Sequence, residues 1–182
     1  MSTVLNYQGK LIDPLNLRDS DFDNIGMQSA VTLSRLQRFW GQLRESYSVA
    51  QHCLALVEYF NGDVELQKWG IGHEVYESLT GMDVPTPIKH SSVYLPYKNS
   101  EEYALKQFAK IYDLVYPVPQ KFILADKNIM VMEAEALMPY NSKVNWRERG
   151  NTPVGVLYKL GADESEIRRE FINKWQELFG RM

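Results

Sequence analysis

The segment Gly72-His73-Glu74-Val75-Tyr76-Glu77-Ser78-Leu79-Thr80-Gly81-Met82-Asp83-Val84-Pro85-Thr86-Pro87-Ile88-Lys89 places a histidine, three carboxylates and a lysine within one helix end and the loop after it. Read as one helix over 64–80, it turns Leu66, Gly70, His73 and Glu77 to one face, because spacings of 4, 3 and 4 stack residues in a row. An apolar row that ends in an imidazole and a carboxylate demands compensation, since burying such groups unpaired costs several kcal/mol. A metal ion with charged ligands is the simplest partner. Two further stretches repeat the pattern. Over 48–60 the inward row is Val49, His52, Cys53, Leu56, Val57 and Phe60. Over 120–137 it is Phe122, Asp126, Ile129, Met130, Glu133 and Leu137. Three helices therefore each turn metal-capable side chains toward the core. Singly, each has a plainer explanation: a hydrogen-bonded core histidine, or a carboxylate paired with arginine.

The elements that must position these groups are mostly helices. The 182 residues are 45% hydrophobic and 24% charged, which suits one globular domain over 1–182 with a substantial core. A formal net charge of −3 gives no basic footprint for polymeric nucleic acid. The single cysteine, Cys53, excludes an internal disulfide and reads as a small buried hydrophobe. The absence of a long apolar run predicts no membrane span, and a reducing, cytoplasmic setting is expected.

Val4 to Leu11 reads as a short hairpin around Gln8-Gly9, with Leu11 and Ile12 on its return. A helix is expected over 21–37. Arg38-Phe39-Trp40-Gly41-Gln42-Leu43-Arg44 then leads to the His52 helix, which Ser46 or Ser48 can cap. Two arginines and two aromatics suit a pocket for an anionic ligand with a flat ring, or simple packing beside solvated charges. Pro85-Thr86-Pro87 predicts extended chain. A helix follows over 100–116, broken by Pro117 and Pro119, and then the Asp126 helix. Residues 139–152 read as a polar loop in which Arg147 and Arg149 are either a lid over a phosphate or a solvated turn. Residues 153–160 read as a short extended stretch. Asp163 with Glu166 predicts a capped final helix on which Ile167, Phe171, Trp175 and Leu178 dock.

The ordered set His52, His73 with an acidic neighbour, and Asp126 resembles the HD-domain phosphohydrolases, which hold a metal through a His, a His-Asp pair and a final Asp. Tyr47-Ser48-Val49-Ala50-Gln51-His52 is similar to the family's first histidine motif. Leu79-Thr80-Gly81, Asp83 and Pro85-Thr86-Pro87-Ile88-Lys89 resemble the segment after the His-Asp pair in the 5′-deoxynucleotidase branch, and Leu124-Ala125-Asp126-Lys127 resembles the last ligand's helix. The matches cover roughly residues 8 to 137. Two departures stand out: His73-Glu74 replaces His-Asp, one methylene longer, and Met82 adds a residue between Gly81 and Asp83.

The resemblance implies an all-α HD-type helical bundle with a short N-terminal hairpin. It implies a divalent metal ion (Co, Mn, Zn, Fe or Ni) held by His52, His73, Glu74 and Asp126. Glu77 becomes the catalytic acid or base, or else an ion-pair partner of Lys89. Asp83 orients water or sugar, or caps the turn. Arg38 and Lys89 hold phosphate, and Trp40 stacks on the base or excludes a ribose hydroxyl. An arginine and a tryptophan ahead of the first metal histidine also resemble small phage enzymes that remove dATP where genomes use 2-aminoadenine. The expected activity is hydrolysis of dATP to deoxynucleoside and triphosphate. The alternatives are a 5′-deoxynucleotidase acting on dNMPs and a non-catalytic nucleotide-binding module. Lys121, Lys127, Arg147 and Arg149 are candidate suppliers of charge for two further phosphates. The partner is a deoxynucleotide, the chain is expected to form a homo-oligomer, and for a phage protein the setting is the host cytoplasm.

Overall fold

The computed structural model describes residues 3–89, 91–150, 155 and 157–182. The fold is all-α apart from one ribbon at the N-terminus. There β1 (Val4–Leu5) pairs antiparallel with β2 (Leu11–Ile12), Val4 opposite Ile12 and Leu5 opposite Leu11. The Asn6 side chain accepts the amides of Gln8 and Lys10 and closes the turn. The acidic segment Asp19–Phe22 is a 3-10 turn rather than the start of the next helix. Asp21 accepts the Arg18 amide at 2.8 Å and ties the chain down there, so α1 (Ile25–Arg35) begins later than the expected residue 21.

Beyond α1 the chain runs extended, and Gln37 bridges Ser48 in antiparallel fashion. The Arg38 amide donates to the Tyr47 carbonyl, and the Val49 amide to Leu36. This clasp brings Arg38 beside the start of α2 (Val49–Tyr59). Ser48 caps α2 in a reciprocal box: its hydroxyl accepts the Gln51 amide, and the Gln51 side chain accepts the Ser48 amide. From Val49 to Val57 every residue of α2 is buried. It packs against α1 and against α3 (Val64–Gly72), whose N-terminus Asp63 caps.

The helix expected over 64–80 is broken. It ends at Gly72, and α4 (Val75–Thr80) starts after His73 and Glu74. Packing overrides the local helical pattern here. A Cβ on Gly72 would lie 1.9 Å from the Phe108 ring, so only glycine leaves room for that ring against the backbone. On a continuous helix adjacent side chains diverge by roughly 100°; the break lets His73 and Glu74 face one place.

The Pro85-Thr86-Pro87 segment also differs from expectation, forming one turn of helix, α5 (Thr86–Lys89). The Ile88 and Lys89 amides reach the Pro85 carbonyl at 2.8 and 3.1 Å. Pro87 falls within the first turn, where its missing N–H has no intrahelical acceptor to lose. α6 (Leu95–Tyr112) starts earlier than Ser100, with a proline in its first turn, and stops at Tyr112 rather than Tyr116, with Asp113 left-handed. α7 (Gln120–Leu137) has the expected limits. Residues 146–149 form a 3-10 turn in the following loop. Of the stretch expected to be extended over 153–160, Pro153, Val154 and Val156 lie outside the described residues, and residues 158–161 turn. Asp163 accepts the Glu166 amide at 2.9 Å and starts α8 (Glu164–Phe179). Ile167, Phe171 and Trp175 of α8 are buried, and Leu178 packs partly buried against the same core.

α8 lies on α1, α2 and α3, and α7 lies on α2. Trp69, Phe108, Phe171 and Trp175 fill the space between them. Cys53 is buried. Among the described residues no helix is long and apolar enough to cross a membrane.

Gly72→Ala should lower the unfolding free energy by about 1–3 kcal/mol, the usual cost of forcing atoms into a filled core. Urea titration should show a lower midpoint with an unchanged slope.

Candidate metal centre

His52 sits in the fully buried part of α2 and is 0% exposed. Its Nδ1 lies 2.8 Å from Glu133 Oε1 on α7. A carboxylate only accepts, so Nδ1 keeps its proton and Nε2 is the nitrogen that a metal could take once it is deprotonated. His73, at the helix break, is oriented likewise: Nδ1 meets the Gly70 carbonyl at 3.0 Å, which leaves Nε2 bare. Both Nε2 atoms are buried and neither makes a well-aligned hydrogen bond, although Asp126 Oδ1 stands 3.0 Å from that of His52. Buried polar atoms are rarely left so, and two such nitrogens beside carboxylates are suited to ligate one ion.

The carboxylates complete the set. Asp126 Oδ1 lies 3.0 Å from His52 Nε2 and 3.9 Å from His73 Nε2. Glu74 Oε1 lies 3.5 Å from His73 Nε2. His52, His73 and Glu74 can bring one ligand atom each within 4.8 Å of one another. Metal–ligand bonds of about 2.1 Å at tetrahedral to right angles separate neighbouring donors by roughly 3.0–3.4 Å. The 3.0 and 3.5 Å separations lie at this range, while the 3.9 Å separation and the 4.8 Å span exceed it, so these side chains would close in slightly to grip one ion.

Charge points the same way. Arg38 Nε donates to Glu133 Oε2 at 3.1 Å, and Nη1 lies 3.8 Å from Glu74. With His52 neutral, as metal ligation requires, three carboxylates (Glu74, Asp126, Glu133) against one guanidinium leave two negative charges, which a divalent cation would neutralise. Burial opposes ionisation of Glu74, yet His73, Arg38 and Lys89 hold its carboxyl well below the usual range. Asp126 is likewise pushed up by burial but lowered overall by His52 and His73. Burial and Arg38 depress the His52 ring, but Glu133 and Asp126 outweigh them and raise it to about 9. Burial would discharge Arg38, and Glu133 and Glu74 keep it charged.

The other sequence-predicted residues surround this centre. Arg38 comes in on a 3-10 turn (Arg38–Gly41) in which Phe39 and Trp40 adopt left-handed backbone angles, φ 50 and 55. Such conformations cost on the order of 1–3 kcal/mol each in non-glycine residues and persist where surrounding structure enforces them. Trp40 is 56% exposed, and its indole N–H donates to the Asp83 backbone carbonyl at 2.7 Å. This bond ties the Trp40 turn to the loop after α4. Burial and Glu74 push the Asp83 carboxyl up.

Glu77, on α4, is 1% exposed and meets Lys89 Nζ at 3.0 Å. Lys89 also meets Glu101 at 2.5 Å. The ion pair that the sequence left as one alternative for Glu77 is thus present. Burial and the Glu74 charge still push the Glu77 carboxyl well up, against the pull of Lys89. Among the candidate phosphate cations farther out, Lys121 pairs with Asp63 and Arg147 with Glu135, while Arg149 lies over the Trp146 ring.

The residue that sequence reasoning did not place in the centre is Glu133. Its signal was present: it shares the inward row of α7 with Asp126, two turns further on. Two surface clefts, of 640 and 520 Å³, lie elsewhere, one around Phe22, Tyr112 and Arg181 and the other around Glu58, Tyr158 and Lys174.

No protein-family model and no curated protein matches the chain. The ligand set is therefore to be tested directly. The purified chain should bind one divalent cation, and His73→Ala should abolish binding. A cation must displace the proton from His52 Nε2, so affinity should rise with pH up to about 9, by as much as tenfold per unit. Calorimetric titration in two buffers of different protonation enthalpy should reveal the released proton.

Proposed function

We propose that the chain is a metal-dependent phosphohydrolase that cleaves the 5′ ester of a deoxynucleoside phosphate. The observation that carries this reading is the pair of buried, unpartnered imidazole nitrogens facing ionised carboxylates. The order of these ligands along the chain, with its resemblance to HD-domain phosphohydrolases, supplies the reaction class. Mixed nitrogen and oxygen donors suit Co, Mn, Fe, Zn or Ni. By the same resemblance the first substrate is dATP, released as deoxynucleoside and triphosphate.

A divalent ion held by His52, His73, Glu74 and Asp126 would acidify water and neutralise phosphoryl charge. The protein groups divide the remaining work. Glu133 and the Gly70 carbonyl fix the ring nitrogens so that lone pairs face the substrate side. Glu77, its carboxyl raised by burial and the Glu74 charge, would be the group that exchanges a proton with the leaving ester oxygen. Lys89 places that carboxyl. Trp40 offers an exposed aromatic face fastened beside Asp83.

One observation favours the monophosphate as a second reading. Arg38 and Lys89, the cations expected to hold phosphate, are each already faced by two carboxylates. Little uncompensated positive charge then remains for a triphosphate beside the centre.

Chromatographic product analysis with each dNTP and dNMP, with Co²⁺ or Mn²⁺ and with chelator, separates the readings. Nucleoside plus intact triphosphate from dATP, abolished by chelator, is the expected result. Turnover of monophosphates alone selects the second reading. A chain that binds metal and nucleotide without turnover is a binding module. Glu77→Gln should lower kcat by about 10²–10⁴-fold while nucleotide affinity changes little; unchanged kcat would remove Glu77 from the role of acid.

A further inference from the structure

Glu133 is 0% exposed and lies on α7 two turns beyond Asp126, roughly 10 Å along the helix. Between them these two carboxylates span the His52 imidazole. Glu133 Oε1 meets Nδ1 at 2.8 Å, and Asp126 Oδ1 stands 3.0 Å from Nε2. The second oxygen of Glu133 accepts from Arg38 Nε at 3.1 Å. Both of its oxygens are therefore used, one on a candidate metal ligand and one on the guanidinium that approaches Glu74. A carboxylate in a helix interface is costly unless hydrogen-bonded in this way. An apolar side chain would fill the same space without that demand, so an ion pair for stability alone does not account for its joining of these two partners.

We infer that Glu133 is a positioning residue of the metal centre, a single carboxylate that holds the His52 ring with Nε2 turned into the centre and locks Arg38 against it. The inference rests on the reading of His52, His73, Glu74 and Asp126 as a metal site and not on the reaction. Carboxylates behind a ligating imidazole fix its tautomer and orientation and raise its donor strength, and their loss typically lowers metal affinity about 10- to 100-fold. Here the same carboxylate also fixes Arg38, whose Nη1 lies 3.8 Å from Glu74. Loss of Glu133 should thus disturb two ligands at once, His52 directly and Glu74 through Arg38.

The decisive variant is Glu133→Gln. It keeps the size of the side chain, but both partners of Glu133 are donors, and an amide has only one acceptor oxygen. One partner must then face its NH₂ group. Co²⁺ titration of the wild-type chain and of Glu133→Gln, followed by calorimetry and by the visible ligand-field spectrum, reads the effect without requiring activity. The expected result is a loss of affinity of about 10- to 100-fold and an altered spectrum at saturating Co²⁺. Thermal unfolding of the cation-free proteins separates positioning from stability. A variant that melts lower yet binds Co²⁺ with wild-type affinity and spectrum overturns the inference, because Glu133 is then only structural. Glu133→Ala, which leaves Arg38 buried without its partner, should lose at least as much affinity where it folds. A wild-type chain that takes up no divalent cation overturns the inference together with the site reading. Wild-type binding with an indifferent Glu133→Gln overturns the inference alone.

Discussion

Charge has been taken into the interface between α2 and α7, and the surrounding structure is arranged to satisfy it. His52 and Glu133 have no exposed surface, and Arg38 is nearly as deep. Three ionisable groups in such a place are tolerated only when each hydrogen bond is made. The extended clasp between Gln37 and Ser48 delivers Arg38, the Ser48 cap starts α2 so that His52 faces α7, and α7 presents Asp126 and Glu133 from one row. What stays unsatisfied within this network is the pair of Nε2 atoms, and they face the same place.

The break between α3 and α4 serves the same demand from the other side. A continuous helix would send Glu74 away from His73. Ending α3 at a glycine pressed onto Phe108 turns the two side chains toward one point and lets α4 carry Glu77 to Lys89. The left-handed backbone at Phe39 and Trp40 is a second local departure, held by the indole bond to the loop after α4. Both irregularities border the centre, where local preference is expected to yield to function.

Much of this was legible in the sequence. The limits of α7, the Ser48 and Asp163 caps, the hairpin and the anomalous polar residues in apolar rows are written in local spacing, and local spacing depends on nearby residues alone. His52, His73 and Asp126, which stood in apolar rows, lie near one another, and Glu74, which only the resemblance brought in, lies beside His73. The helix break was not legible, because residues 64–80 keep a good helical pattern. The turn at Thr86–Lys89 was missed because a proline in a first helical turn looks like a breaker until its neighbours' amides are traced to Pro85. Glu133 stood in the right row, but whether a carboxylate there ligates or supports depends on which atom it meets. Periodicity carries no such information.

The ligand atoms come from widely separated parts of the chain, His52 on α2, His73 and Glu74 at the break, and Asp126 on α7. A cation gripping all of them is in effect a cross-link, closing loops from residue 52 to 73 and from 74 to 126. Its grip requires α2, the α3–α4 junction and α7 to be docked together, so the unfolded chain has no comparable site. A bound ion would thus stabilise the assembled state by mass action, and occupancy would become a measure of whether three distant segments have docked.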